Sequence, residues 1–293
     1  MIHFSRYTKL YFMISFIVIG AGIFSIFKYG YNVSIDFSGG TLLQYRTAAN
    51  AKVDANRLGA LVTSFHSELV DHKQGTDGVL TLRLSKFTDA EEPNFRAKLQ
   101  ELIASPVTLS SLESVGPTIG ADAIRKTLIA AACGVLVILS YIFYSFRKMS
   151  FAVAAVVALL HDIAVVLGVY SIISHFFGAP LDTLFVTALL TTMSFSVHDT
   201  IVIFDMIRGE LRRGKGGSIT DLADHAVTST MVRSLNNSLT IIFMLFSLVL
   251  LGGTSIRYFA IALLIGTVTG VYSSPFIATP VMIWLERRNH KSA

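Results

Sequence analysis

The chain has 293 residues, 53% of them hydrophobic and 15% charged, with a mean hydropathy of +0.62. A soluble domain carries roughly 25% charged residues, so the composition excludes an ordinary soluble protein and points to one embedded in a bilayer. The net charge of +5 does not read as nucleic-acid binding, because its arginines border apolar runs, where they act as a topology signal and as contacts for anionic lipid.

Six runs approach or exceed the ~18 apolar residues that a membrane span needs: 10–27, 127–146, 150–173, 183–205, 234–252 and 257–284. The first follows Arg6 and Lys9 as a signal peptide would. Its apolar stretch is longer than the usual ~7–15 residues, and Phe24 to Lys28 has no small-residue cleavage site, so it reads as an uncleaved anchor. Arg6, Lys9, Arg147, Lys148, Arg208, Arg212, Arg213, Lys215, Arg287, Arg288 and Lys291 all fall on one side if the spans alternate. By the positive-inside rule that side, with both termini, is the cytoplasm. The single cysteine, Cys133, permits no intramolecular disulfide and reads as a small buried hydrophobe.

The chain divides into 1–28, the N-terminus and first span; 29–120, an outer segment; and 121–293, the other five spans with a cytoplasmic tail. In the outer segment, Ile35 to Arg46 reads as strands with the Gly39-Gly40 pair at a bend or bulge. Leu58, Leu61, Val62 and Phe65 mark a helix over 54–68. Gly75 to Gly78 forms a turn before the alternating strand Val79–Leu84. Asp89 is placed to cap a helix through Phe95, Leu99, Leu102 and Ile103, and 107–115 is extended. The order β-α-β-β-α-β predicts a small ferredoxin-like α+β domain. Gly116, Pro117 and Gly120 then form an elbow or an ordinary linker into the second span.

Polar residues stand out in the membrane half. Span four places Thr192, Ser196 and Asp199 on one helical face, and span five does the same with Arg233, Asn236, Asn237 and Thr240. An intramembrane Asp or Arg costs ~2.5–3.5 kcal/mol even on the mildest insertion scale, so these faces are expected to meet inside the bundle. Counted from the outer ends, Asp199 lies about 24 Å down and Arg233 about 28 Å down, level enough to pair. Burial and a nearby guanidinium act on a carboxyl group in opposite senses, so separating the two would change proton affinity. The alternative is a static buried ion pair. Asp162 in span three sits nearer the outer face, out of contact with Asp199, and Asp205 lies at the inner boundary. The dipeptides His161-Asp162 and His198-Asp199 raise a metal or hydrolase reading, but neighbours on a helix point about 100° apart and no His-Glu-x-x-His or Gly-x-Ser-x-Gly pattern is present. In span six, Ala262, Gly266, Gly270, Ser274 and Ala278 recur every four residues as a packing stripe, and Pro275 and Pro280 are placed to kink the helix.

Four motifs carry a resemblance. Ser34 to Thr41 (Ser-Ile-Asp-Phe-Ser-Gly-Gly-Thr), Val115 to Gly120, Ser196 to Asp205 and Phe259 to Gly266 are similar to those of the SecF family of protein-export membrane proteins, and the likeness runs from about residue 8 to 287. The resemblance implies an α-helical integral membrane protein with six transmembrane helices and a periplasmic α+β domain between the first two, in the bacterial inner membrane. It implies no enzymatic activity, no cofactor and no metal. The implied partners are an obligate SecD-like protein, which completes a twelve-span assembly related to resistance-nodulation-division exporters, together with the Sec translocon, unfolded preprotein and membrane lipid. The implied role is to assist preprotein translocation with the proton-motive force, with Asp199 and Arg233 as the proton-linked residues. His198 replaces the family's asparagine and Met206 its second-motif arginine; His198 is either an added titrating group or a tolerated substitution. Two other functions fit the bare residues: a stand-alone proton-coupled exporter of small molecules, and a structural scaffold of the translocon.

Overall fold

A computed structural model describes residues 4–47, 53–75, 78–146, 148–213 and 218–291. Thr76 and Asp77 of the expected turn, and Arg147 and Lys215 of the basic loops, lie outside the described residues. In chain order the elements are α1 (Thr8–Tyr29), α2 (Ile35–Ser38), β1 (Gly40–Arg46), α3 (Ala55–Thr63), β2 (Leu69–Gln74), β3 (Val79–Leu84), α4 (Glu92–Ile103) and β4 (Thr108–Val115). There follow α5 (Pro117–Ser145), α6 (Met149–Phe177), α7 (Thr183–Arg212), α8 (Ile219–Leu251), α9 (Thr254–Ser273), a π-helical turn (Ser274–Ala278) and α10 (Thr279–Lys291). Contacts divide the chain into two units, Val33–Leu128 and Met1–Asn32 with Ile129–Ala293.

In the first unit the strands run β2-β3-β1-β4, and every neighbouring pair is antiparallel. This is the split β-α-β of a ferredoxin-like domain. Leu43 and Tyr45 of β1 and Leu80, Leu82 and Leu84 of β3 alternate inward, and Leu58, Val62, Phe95 and Leu99 of α3 and α4 close over them. Each such side chain contributes about 1.5–3 kcal/mol on burial.

The local signals differ from expectation in two places. Ile35–Ser38 is a helical turn, not strand, because the Ser34 carbonyl accepts from Ser38 N at 3.1 Å and the Ser34 side chain from Asp36 N at 3.4 Å. Gly39 (φ 69°) and Gly40 (φ 114°) then turn the chain into β1, and the register shift comes later, between Gln44 and Tyr45. The start before α4 is set by Thr88, not Asp89: Glu91 Oε2 accepts from Thr88 N at 2.9 Å and Thr88 Oγ1 at 2.6 Å. The turn after β4 is confined to Gly116, and Pro117 opens α5, where its missing N–H costs no helix bond. Gly120 lies in the first turns of α5, where a Cβ would fall 2.8 Å from Gly39 N.

Among the described residues, six helical stretches are long and apolar enough to cross a membrane. α1 lies along α6 at a glycine pair: a Cβ on Gly22 would fall 2.5 Å from Gly168 Cα. Ser25 and Ser171 share a 3.0 Å hydrogen bond beside it. α9 lies along α7 in the same way, with Gly266 against Thr192 and Gly270 against Ser196. The prolines of the sixth span take the form of the π turn. Pro275 and Pro280 have no N–H to give, and the Thr279 N–H reaches back five residues to the Ser274 carbonyl. Cys133 is exposed, not buried, because α5 leaves most of its surface outside the core.

Candidate functional site

α7 is started by Asp182, whose side chain accepts from Phe185 N at 2.8 Å. Thr192, Ser196 and Thr200, at i, i+4 and i+8, form its buried polar face. Thr192 Oγ1 is spent on its own helix, on the Leu189 carbonyl at 2.9 Å. Thr200 Oγ1 shares a 2.9 Å hydrogen bond with Ser274 of the π turn. The packing stripe of span six and the polar face of span four are thus two sides of one interface: glycines on α9 admit hydroxyls on α7.

Asp199 stands on the flank of that face, half-buried, and its Oδ2 accepts from Ser234 of α8 at 3.1 Å. It lines a cleft with Ser196 and His198 of α7, Asn237 and Ser238 of α8, and Thr267 and Gly270 of α9.

The expected pairing with Arg233 is not formed. Arg233 is exposed and makes no ion pair or hydrogen bond among the described residues. The reason is helical phase: Ser234, one residue and about 100° further round, is the α8 side chain turned to α7. Ser234 and Ser238, four apart, make the inner polar face of α8. Arg233, Asn236, Asn237 and Thr240 are exposed, and of these Asn237 borders the cleft. Arg233 stays within electrostatic range of Asp199, as does His198. His198 itself is exposed on the cleft rim. Asp205 is exposed, with Arg208 3.9 Å away.

Asp162 lies in a hydrogen-bond network of its own. It is 4% exposed, and its Oδ2 accepts from Ser196 Oγ and, at 2.7 Å, from Ser273 Oγ. Its Oδ1 lies 2.8 Å from His161 Nδ1. Asp162 does not touch Asp199 itself; it is bonded to Ser196, one turn nearer the outer end of α7. His161 faces Asp162 and Ser15, whereas His198 opens on the cleft, so the two His-Asp dipeptides do not converge on one centre.

The sequence reading missed Ser234, Ser238, Ser273, Ser15 and Tyr272. The i, i+4 spacing of Ser234 and Ser238 is the available signal, outweighed in the sequence by the costlier arginine and asparagines beside them. Three more buried acids hold helix ends. Glu286 accepts from Ser150 and from Lys148 at 3.3 Å. Asp224 accepts from Ser5 N at 3.0 Å and Ser5 Oγ at 2.8 Å. Glu210 meets Arg213 at 3.0 Å.

Protein translocase subunit SecF of Thermobaculum terrenum is 34% identical over 304 residues, spanning 99% of this chain and 95% of that protein. The family profile described as protein export membrane protein SecD/SecF, C-terminal, matches residues 95–288. The chain belongs to the SecF family. SecF of Anaerolinea thermophila is 36% identical, over 94% of this chain and 91% of its own length. The crystal structure of SecDF, a translocon-associated membrane protein from Thermus thermophilus, superposes with a TM-score of 0.83 at 27% identity, covering 98% of this chain and 39% of that one. A SecDF structure in a super-membrane-facing form gives 0.64 at 26% identity over the same shares. The protein is therefore a multi-pass membrane protein of a non-enzymatic translocase family with the SecDF-type fold.

Proposed function

We propose that this chain is the SecF half of a SecD–SecF assembly that assists Sec-dependent export and draws on the proton-motive force through Asp199. Both termini lie in the cytoplasm and the α+β domain in the periplasm of a bacterial inner membrane. A SecD-like protein is the obligate partner, and the Sec translocon and unfolded preprotein are the others.

The observation that carries the reading is the state of Asp199: a carboxyl group on a membrane helix, lining a cleft between α7, α8 and α9, and bonded among the described residues to one hydroxyl and to no cation. A static ion pair would lock its charge; a single Ser234 donor leaves it open to gain and lose a proton. Arg233, one residue away on α8, is placed to answer that change by a small rotation. The exposed polar edge of α8 (Arg233, Asn236, Asn237, Thr240) is costly against lipid, which favours a second chain beside it. The energy suffices for conformational work, since each proton moved across the membrane releases about 2.3 kcal/mol per 100 mV. Because Gly266 and Gly270 leave no slack between α7 and α9, a displacement of α7 is passed to α9. Of the expected elbow, Gly116 alone is the turn at which the outer domain would respond, because Pro117 and Gly120 belong to α5.

Asp199→Asn and Arg233→Met are each expected to abolish gradient-dependent export from membrane vesicles while the protein stays inserted and bound to its partner. Normal export by both would overturn the reading and favour a scaffold role.

A further inference from the structure

The proton-coupling reading uses Asp199 and leaves His161 and Asp162 without a task. Their side chains are 8% and 5% exposed, and they sit where four helices meet. α7 supplies Ser196 and α9 supplies Ser273, both donors to Asp162 Oδ2. α1 supplies Ser15, whose Oγ is 2.9 Å from His161 Nε2, and α9 also supplies Tyr272, whose Oη is 3.4 Å from Ser15 Oγ. Among the described residues, Tyr272 is the one titratable group that α1, α7 or α9 bonds into this network. Among the described residues no Lys, Arg, Asp or Glu other than Asp162 is bonded into it.

Counting protons shows what the arrangement accommodates. Tyr272 donates its proton to the Tyr11 carbonyl at 2.8 Å, so its oxygen is left as an acceptor. Ser15 has one proton and two acceptors. Donated to His161 Nε2, it fits a neutral ring whose Nδ1–H points at Asp162. Turned to Tyr272 Oη, it leaves its oxygen to accept from Nε2–H, and the ring is then an imidazolium against a carboxylate that already holds two hydroxyl donors. Uptake of one proton at Nε2, accommodated by rotation of the Ser15 hydroxyl with no heavy atom displaced, converts the site from one occupancy to the other. A paired cation and anion with all donors satisfied also avoids the burial cost of a lone charge.

The site is joined to the Asp199 cleft. Ser196 donates to Asp162 and lines the cleft, one helical turn before Asp199. We propose that His161–Asp162 is a second proton-holding site, which takes up and releases its proton at Nε2 on the Ser15 side and whose occupancy is coupled to the Asp199 cleft through the hydrogen bond from Ser196 to Asp162. The coupling rests on the function proposed above; the existence of the site does not.

The test is nitrogen NMR of the histidine rings in the full chain bound to its partner in lipid discs, across about pH 5–8, with the His161 signal assigned by its loss in His161→Asn. The site predicts a ring that passes from the Nδ1-protonated neutral form to the imidazolium; a ring that stays in one form throughout overturns it. Coupling predicts that Asp199→Asn moves the His161 midpoint by about one pH unit, tenfold in proton affinity, and that adding Ser196→Ala removes the movement. An unmoved midpoint overturns the coupling. Gradient-driven export by Asp199→Asn, read in parallel, separates the failures. Retained export sinks the function assigned to Asp199, whatever the ring does. Lost export with a ring that never titrates sinks the second site alone.

Discussion

Asp199 meets Ser234 and not Arg233 because adjacent helical positions point about 100° apart, and this phase sets the residue-scale chemistry. Ser234→Ala removes the one hydroxyl on the carboxyl group. A hydrogen bond to a charged group is worth about 1.5–3 kcal/mol, so the variant is expected to displace the pH midpoint of gradient-driven export by about one unit without lowering the amount of inserted protein. An unchanged profile in vesicle assays would count against the contact. In the outer domain, the Thr88 hydroxyl and backbone N–H hold the Glu91 carboxyl below its ordinary range. A lowered folded-state value gives stability that is present above the unfolded pKa of about 4.3 and is lost as pH falls through the folded value. Thr88→Ala should therefore reduce stability at neutral pH and flatten its decline in acid, measured by thermal unfolding from pH 7 down to about 2. Asp199 was legible from the sequence because an acid in an apolar run is costly wherever it points. The choice between Arg233 and Ser234 was not, since spacing fixes which residues share a face but not which face turns inward.

At the scale of elements, hydropathy located all six membrane helices but misplaced the starts of two. α8 begins at Ile219, well before the apolar run at 234, because its first turns are amphipathic. Leu222, Ala223, Ala226 and Val227 are buried, and Ser218 and Asp221 form a capping box. α5 begins at Pro117 and carries Asp122, Arg125 and Lys126 through polar first turns. Charge lowers the hydropathy there while the backbone stays helical. The stripe on α9 was readable as packing; that it receives the hydroxyls of α7 was not, because the partner of a stripe depends on tertiary arrangement. Two glycines on α1 test how such contacts work. A Cβ on Gly22 would meet the Gly168 backbone, whereas Gly20 has nothing within 4 Å. Gly22→Leu is expected to cost at least the 1–3 kcal/mol typical of overpacking, and Gly20→Leu close to nothing, compared by thermal unfolding in detergent. Equal effects would refute a close α1–α6 contact.

For the whole molecule, the order of strands and helices predicted a ferredoxin-like domain, and the sheet has that order and those directions. The alternation of Leu43 and Tyr45 against Leu80, Leu82 and Leu84 made it readable, because a period of two puts alternate side chains on one face. Membership of the SecF family was equally legible, in four ordered motifs. The surroundings of α5 and α8 were not: both expose most of their length, and what covers them lies in another chain or in lipid. The proposed topology has a direct check. With Cys133 replaced by alanine, a cysteine at Lys86 in the outer domain is expected to react with a membrane-impermeant maleimide in intact cells, and one at Arg288 only after permeabilisation. The reverse pattern would invert the orientation.

The claim at the centre is that Asp199 takes up and releases a proton. Infrared difference spectra of the complete complex in membranes, recorded between alkaline and acidic medium, report it without relying on export. The account predicts a protonated-carboxyl band that appears in acid, shifts in Ser234→Ala and is missing in Asp199→Asn. Identical carboxyl bands in the unaltered protein and in Asp199→Asn would contradict it.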